Sequence, residues 1–440
     1  MRVRARIYER GERNRYMVKV MSTATTSRLA RVKQEFQQRG FGGVTSWGAR
    51  WLYWNVALYR LPKPMRAPIE KNIRAPITPS LLAWTQAHPE IPLHILHPAQ
   101  DITIALPNTL EPALQPGFIK RAHYHVNAKC MAVLANSRIV GADGLVVLPD
   151  GSFAAEVANG AENLRQDSAY LAYSNRQALY KKGSYFSFLM RWSATGNYYH
   201  WVHDILLKAF AVMEQLPAHT TFLVPPNLRL YQVESLRVVG VESERMASYD
   251  GQGVLELQEH YFSPPTTWSG YDLPAANAWL RRKVFAAYGL EPARQGKRIY
   301  ISRQKASMRY VKNEIQVIEC LAPYGFEAYI LEELSFREQV TLFSQAEVIV
   351  GAHGAGMTNI LFAPPGGAVI ELSAPAHFKL GAWSYWVVSE TQHKPYWYVE
   401  CEGVPNPSAP PNCDDLIVPL TKLQATLERV LGHPVEQNRN

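Results

Sequence analysis

"VIVGAHGAGMTNILFAPPGGAVIEL" occupies Val348–Leu372. An apolar, β-branched run opens it, glycines surround His353, and a second apolar run carries Glu371 near its end. Short runs of this kind, bounded by Gly and Pro, read as buried strands of a parallel sheet. Gly351, Gly354 and Gly356 permit a tight turn with close backbone approach, and a helix is expected from about Met357-Thr358-Asn359. Ligands of a parallel sheet sit beyond the carboxyl ends of its strands, where a helix N-terminus offers free N–H groups to an anion. The spacing fits neither GxGxxG nor GxxxxGK(S/T), so neither a dinucleotide site nor a P-loop is supported. His353 is a candidate donor to a phosphate oxygen, and Glu371 a candidate acceptor from ribose hydroxyls. A glycine turn whose histidine satisfies backbone groups is the plain structural alternative.

The same rhythm extends to both sides. Strands are expected at Ile299–Ser302, Glu327–Ile330, Val348–Gly351 and Val369–Leu372, with helices at Asn313–Leu321 and Phe336–Ala346 and a closing helix at Thr421–Leu431. Before them, short apolar runs alternate with turn signals from about Leu93 to Phe153, and the run Cys130–Phe153 reads as a hairpin or meander with a strong turn at Asp150-Gly151. A strand at Tyr185–Met190, an amphipathic helix at Tyr198–Leu216, a strand at Thr220–Pro226 and a helix at Asn277–Leu290 closed by Gly289 follow. Strand–helix–strand alternation with short connections implies parallel sheets covered by helices. The expected fold is therefore α/β, with two doubly wound lobes facing a cleft. The expected divisions are a basic extension and linker at 1–90, a first lobe at 91–290 and a second at 291–440, whose closing helix can pack back on the first.

Charge is uneven along the chain. Residues 1–74 hold 17 Lys/Arg against 4 Asp/Glu, whereas the remainder is slightly acidic. A basic arm of this kind suits anionic lipid head groups or phosphates. Met17 and Met21 are alternative starts within it. "WGARWLYWNVALYRLP" (Trp47–Pro62) reads as an interfacial or docking helix rather than a span, and ordinary packing into the body is its plain alternative. Met1–Arg15 has alternating arginines and no apolar run, so no secretory signal is expected there. Cys130, Cys320, Cys401 and Cys413 are widely spaced and form no CxxC pair, which argues against a zinc ribbon and favours a reducing cytosol.

Two further clusters carry chemistry. Ser302-Arg303 ends an expected strand, with Arg309, Asn313 and Glu314 just beyond; Arg303 suits two-point contact with a diphosphate, and Asn313 is the expected helix N-cap. In "NYYHWVHD", His200, His203 and Asp204 fall at i, i+3 and i+4 and share a face if the helix runs through. Asp204 can orient the His200 imidazole, or be the base itself. Two histidines with an aspartate also suggest a metal.

"YISR…R…NE", "FREQVTLFSQAEVIVGAHGAGMTNILFAPPGGAVIEL" and "NYYHWVHDILLKAF" together resemble the glycosyltransferase family 61 pattern, in the expected order from about Arg191 to Leu372. Residues 1–90 and the tail after about Ser373 lie outside the resemblance. It implies an inverting hexosyl- or pentosyltransferase of GT-B architecture, using a nucleotide sugar, with a uridine diphosphate sugar the expected donor, and no obligatory cofactor or metal. By the resemblance, His200 and Asp204 take the catalytic positions near the acceptor. Arg303, Arg309, Asn313 and Glu314 take donor positions, as do His353, Gly354, Ala355, Gly356, Asn359 and Glu371. His203 stands at a variable position, and Met357 stands where Leu is commoner. Bacterial relatives serve surface polysaccharide assembly, so a saccharide or lipid-linked acceptor is expected. The expected location is the cytoplasm, with residues 1–74 in peripheral contact with the inner membrane surface and no nucleic acid as partner. Two readings from other classes compete: a metal-dependent hydrolase using His200, His203 and Asp204, and a non-catalytic protein that binds an anionic surface through residues 1–74.

Overall fold

The computed structural model describes residues 75–173, 177–291, 296–379, 383–410 and 412–432. The basic arm and the aromatic segment Trp47–Pro62 lie outside the described residues. The described residues within Ile77–Tyr170 and from 177 onward form one compact unit.

Two main sheets build that unit. The first has nine strands and is mixed rather than parallel throughout. Its spine is the long strand Lys129–Val140, antiparallel to Leu145–Val147 on one side and to Val254–Phe262 on the other. Beyond Val254–Phe262 the pairing turns parallel through Leu179–Ser187, Thr221–Val224 and Met246–Ser248. The expected meander is present, and so is its turn: Gly151 has φ +86°, and Asp150 Oδ1 accepts from Ser152 N at 2.9 Å and from Ser152 Oγ at 2.7 Å, an Asx turn. The expectation of a doubly wound first lobe is corrected on this point. Hairpin connections give antiparallel neighbours, whereas the parallel pairs, including Ile77–Thr78 with Phe153–Ala154 at the other edge, are joined by longer crossovers.

The second sheet is parallel throughout: Lys297–Ile301, Phe326–Tyr329, Ala346–Ala352, Ala368–Ser373 and Tyr396–Glu400. Counted along the chain its order is 2-1-3-4-5. Val348, Ile349 and Val350 are buried, as are Val369 and Ile370, the mark of strands covered on both faces. The four strands and the flanking helices Glu314–Leu321 and Phe336–Phe343 fall where the sequence predicts them. The fifth strand and the helix Ser384–Thr391 were not expected.

The apolar interior does not divide at residue 290. One core cluster joins Phe186, Phe222 and Val224 of the first sheet to Ile299, Ile349 and Val369 of the second. A strap ahead of the long strand Lys129–Val140 also reaches the second sheet: Asn108 N donates to Tyr396 O at 2.8 Å and Trp386 Nε1 to Ala105 O at 2.9 Å. The closing helix, Leu420–Leu431, buries Leu423 and Leu427 in a core with Val317, Val350 and Ile370. It packs on the second sheet, and Lys422 Nζ reaches Glu111 Oε1 at 2.8 Å.

One helix breaks up. The sequence predicts a continuous helix over Tyr198–Leu216; the chain instead makes one α-turn at Tyr198–His200, a π-turn at Trp201–Ile205 and a 3₁₀ turn at Leu206–Ala209. Ala211 then takes φ +60°. Trp201, Val202, Ile205, Leu206, Leu207 and Ala209 are all essentially inaccessible. A segment buried on every side follows its packing partners rather than helix propensity.

Candidate active site

In the second sheet the strand order reverses between Lys297–Ile301 and Ala346–Ala352, which pair in parallel with Ile301 opposite Gly351. At such a switch point the connections leave to opposite faces and the strand ends open a crevice. Arg303 lies just beyond the first strand and His353 just beyond the second.

Arg303 is held by its own loop. Its Nη2 donates to Met308 O at 2.6 Å and its Nε to Arg309 O at 3.4 Å. Glu314 Oε1 receives the Arg303 backbone N–H at 2.8 Å and the Tyr300 hydroxyl at 3.0 Å. Burial pushes the Arg303 guanidinium below its usual pKa, and the neighbouring Arg309 charge adds to that. Arg309 adopts φ +56°, donates from Nη2 to Cys413 Sγ at 3.2 Å, and keeps Nε buried without a partner. Among the described residues, neither arginine is ion-paired with a carboxylate. Two adjacent, uncompensated guanidinium groups create a site for an anion.

The glycine turn fits against Arg303. A Cβ on Gly354 would fall 2.5 Å from Arg303 Nη1, one on Gly356 3.0 Å from Leu331 Cδ1, and one on Gly351 2.9 Å from Met357 Sδ. The helix that follows, Ala355–Phe362, is 3₁₀ rather than α and starts two residues earlier than expected. Its N-terminus, with the N–H groups of Ala355 and Gly356, follows the carboxyl end of Ala346–Ala352, and the start of a helix favours negative charge.

His353 and Glu371 form a dyad: Nδ1 lies 2.6 Å from Glu371 Oε1. Tyr396 donates its hydroxyl to Glu371 Oε2 at 2.7 Å, and the carboxylate is 0% exposed. The expected ribose contact of Glu371 is thereby corrected: both oxygens are engaged inside the core, and the residue orients His353 instead. Behind it, His377 accepts from Ala374 N at 3.3 Å and donates from Nε2 to Asp414 O at 3.0 Å. Burial, then the neighbouring His353, pushes His377 down to about 3.

Three further expected donor residues serve the framework. Asn313 occupies the N-cap position without capping; its amide exchanges two hydrogen bonds of 2.9 Å with Val418. Glu314 fixes the Arg303 backbone, as above. Asn359 is 0% exposed, donates to Gln339 Oε1 at 2.8 Å and accepts from Tyr198 OH at 2.7 Å.

A second dyad comes from the broken helix. Asn197 caps it, accepting from the N–H groups of Tyr199 and His200. His200 Nδ1 lies 2.6 Å from Asp204 Oδ2, which also accepts from Ser269 Oγ at 2.8 Å. Asp204 is 1% exposed, whereas the His200 side chain is 20% exposed. With Nδ1–H donated to the carboxylate, the neutral imidazole presents Nε2 as a lone pair. His203 turns elsewhere: it stacks on Tyr199 at 4.9 Å and faces Asp272 Oδ2 at 3.4 Å. The expected shared face of His200, His203 and Asp204 is corrected, because the π-turn rotates His203 out of register. Among the described residues, no group of three or more His, Cys, Asp or Glu side chains is placed to hold a metal ion. Tyr385 links the two dyads, its ring 5.5 Å from Tyr199 and 5.1 Å from His353.

Residues 198–370 match the family model of glycosyltransferase 61. The matched segment contains the His200–Asp204 dyad, both arginines, the glycine turn and His353, and ends one residue before Glu371. Similar over part of their length are three curated proteins. They are the alpha-1,3-arabinosyltransferase XAT2 of Oryza sativa subsp. japonica (23% identical; 40% of this chain, 34% of that one) and the protein O-linked-mannose beta-1,4-N-acetylglucosaminyltransferase 2 of Tetraodon nigroviridis (28%; 40% and 35%). The third is the EGF domain-specific O-linked N-acetylglucosamine transferase of Pan troglodytes (32%; 19% and 17%). The chain spans about a third or less of the length of each relative. Ser269, Tyr385, Tyr396 and Cys413 belong to the candidate site or its support but carried no sequence signal. Each is brought in by a loop, helix or edge strand distant from the motif it serves.

Proposed function

We propose that the chain is an inverting glycosyltransferase that moves a sugar from a nucleotide-sugar donor to a saccharide or lipid-linked acceptor. The observation that carries this reading is the pair Arg303 and Arg309, cations without a carboxylate partner among the described residues, at the switch point of a parallel sheet. A nucleoside diphosphate supplies the anion they lack, the Ala355 and Gly356 N–H groups add donors on the departing side, and His353, whose Nδ1–H is given to Glu371, joins them as the imidazolium.

In this mechanism His200 is the base. As the acceptor oxygen bonds to the anomeric carbon, its proton passes to His200 Nε2. The bond from that carbon to the phosphate oxygen breaks, and the nucleoside diphosphate leaves with the electron pair. Attack from the face opposite the leaving group inverts the anomeric centre. Asp204, inaccessible to substrate, positions the imidazole and stabilises the imidazolium that forms. No step is assigned to a metal. We read the two sheets as the two halves of a GT-B arrangement, a uridine diphosphate sugar as the donor, and surface polysaccharide assembly at the cytoplasmic face of a membrane as the setting. The resemblance supports these three points. The basic arm at 1–74 suits such a surface, and among the described residues no helix is long and apolar enough to cross a membrane.

A thermal-shift screen of nucleotides and nucleotide sugars, with and without chelator, tests the reading. A ligand that binds the folded state raises the midpoint. A chelator-insensitive rise with one nucleoside diphosphate and its sugars, lost in Arg303→Ala, is expected. No rise with any nucleotide overturns it.

A further inference from the structure

Beside His200 lies a cleft of about 480 Å³ that the glycosyltransferase 61 match leaves largely unassigned. Asn127, Asn159 and Trp192 line it from outside residues 198–370, and Trp268 and Tyr271 from inside. Trp192 is the anomaly. It holds φ +74°, a strained conformation for a large side chain, and is 38% exposed. The turn that imposes this is pinned by Ser193 N to Met190 O at 2.9 Å and by Thr195 Oγ1 to Trp192 O at 2.7 Å. The strained backbone places the indole parallel to the His200 ring, with centroids 4.9 Å apart and planes 12° apart. The Arg191 guanidinium sits 4.9 Å from the same indole. Stacking fixes the plane of the imidazole, and the bond to Asp204 fixes its rotation within that plane. Among the described residues, Nε2 is left as the nitrogen without a protein partner.

The lining also selects a class of ligand. Its charges are mostly spent: Lys129 Nζ donates to Pro264 O at 2.8 Å, Glu156 Oε2 accepts from Leu81 N at 2.6 Å, and His125 pairs with Asp101 at 2.8 Å. What remains is aromatic surface from Trp268 and Tyr271 and the amides of Asn127 and Asn159, which bond no other described group. Aromatic faces with amides that both donate and accept suit a pyranose, which has apolar C–H faces and hydroxyls of both roles.

We infer that this cleft is the acceptor subsite, that it takes a neutral pyranoside, and that Trp192 is the positioning residue that holds His200 toward the acceptor hydroxyl. The inference rests on the glycosyltransferase reading, and the test separates the two. The full chain is titrated with methyl and octyl β-pyranosides of glucose, galactose, mannose, xylose and N-acetylglucosamine, followed by tryptophan fluorescence. Uridine diphosphate binding is measured in parallel by calorimetry. At least one pyranoside is expected to bind saturably, with affinity falling roughly tenfold or more in Trp268→Ala and uridine diphosphate affinity unchanged. Imidazole ¹⁵N spectra, assigned with His200→Gln, report the His200 tautomer. A single Nδ1-protonated form is expected in the wild type and in Trp192→Phe, which keeps a stacking ring. A mixture is expected in Trp192→Gly, whose residue suits the positive φ and so leaves the fold intact. Uridine diphosphate binding without any pyranoside binding overturns this inference alone. So does a Trp192→Gly variant that folds and leaves the His200 spectrum unchanged. Pyranoside binding without nucleotide binding upholds the sugar subsite and defeats the donor reading.

Discussion

The Tyr198 hydroxyl donates to Asn359 Oδ1 across 2.7 Å, tying the turn that carries His200 to the helix that follows His353. Residues 161 positions apart in sequence are thus locked together in the core, and the two dyads keep a fixed spacing through this bond. Both partners are inside the protein, and Asn359 also satisfies Gln339 Oε1. Asn359→Leu leaves the half-buried Tyr198 hydroxyl and Gln339 Oε1 without their partner and should cost up to about 2–6 kcal/mol, the sum of roughly 1–3 for each. Tyr198→Phe removes a donor and leaves one acceptor, at about 1–2 kcal/mol. Urea unfolding of both variants checks the ranking; equal losses would mean that the bond is not the tie described.

Gly354 tests the donor cradle without touching a charged group. Its φ of 175° suits any residue, so Gly354→Ala strains no backbone; the added Cβ displaces Arg303 Nη1 instead. Nucleoside diphosphate affinity should fall roughly tenfold or more while the unfolding midpoint moves little. Calorimetry with unchanged affinity would remove Arg303 from the diphosphate.

Turnover ranks the members of the first dyad. If His200 is the base, His200→Ala should lose about 10²–10⁴-fold. Asp204→Asn, which keeps the ring but weakens its orientation, should lose less, with donor affinity unchanged in both. A larger loss in Asp204→Asn would transfer the role to the carboxylate.

Stability should depend on pH through Lys208. Its Nζ donates to Leu189 O at 3.2 Å inside the core, and burial, aided by the Lys129 charge, pushes the ammonium down from 10.5 to about 7. Between those values the unfolded chain holds a proton that the folded chain has released, so stability rises with pH across the window. Below it the folded protein carries the buried charge and the full penalty. Lys208→Met should therefore be the more stable form at neutral pH, and its advantage should shrink as pH rises toward 10. Midpoints measured across that range check the sign.

Much of the second half was legible. Val348–Gly351 and Val369–Leu372 read as strands because β-branched runs between Gly and Pro have few other solutions, and the structure returns Ala346–Ala352 and Ala368–Ser373. The candidate residues were legible as types but not as roles. Glu371 read as a ribose ligand, yet Tyr396, on a strand outside the motif, closes over it. Asn313 read as a cap, yet Val418 claims its amide. His203 read as sharing a face with His200, yet buried packing inserts a π-turn between them.

The sequence alone determined the local chemistry: glycines where a guanidinium must approach, arginines after a strand end, and a histidine with an aspartate one turn on. These follow from short-range sterics and charge, which act over a few residues. Only the tertiary structure decided which nitrogen of each histidine faces outward, which carboxylates are buried behind it, and that Trp192 stacks on His200. Those outcomes depend on groups far apart in the chain competing for the same buried hydrogen-bond partners and the same space.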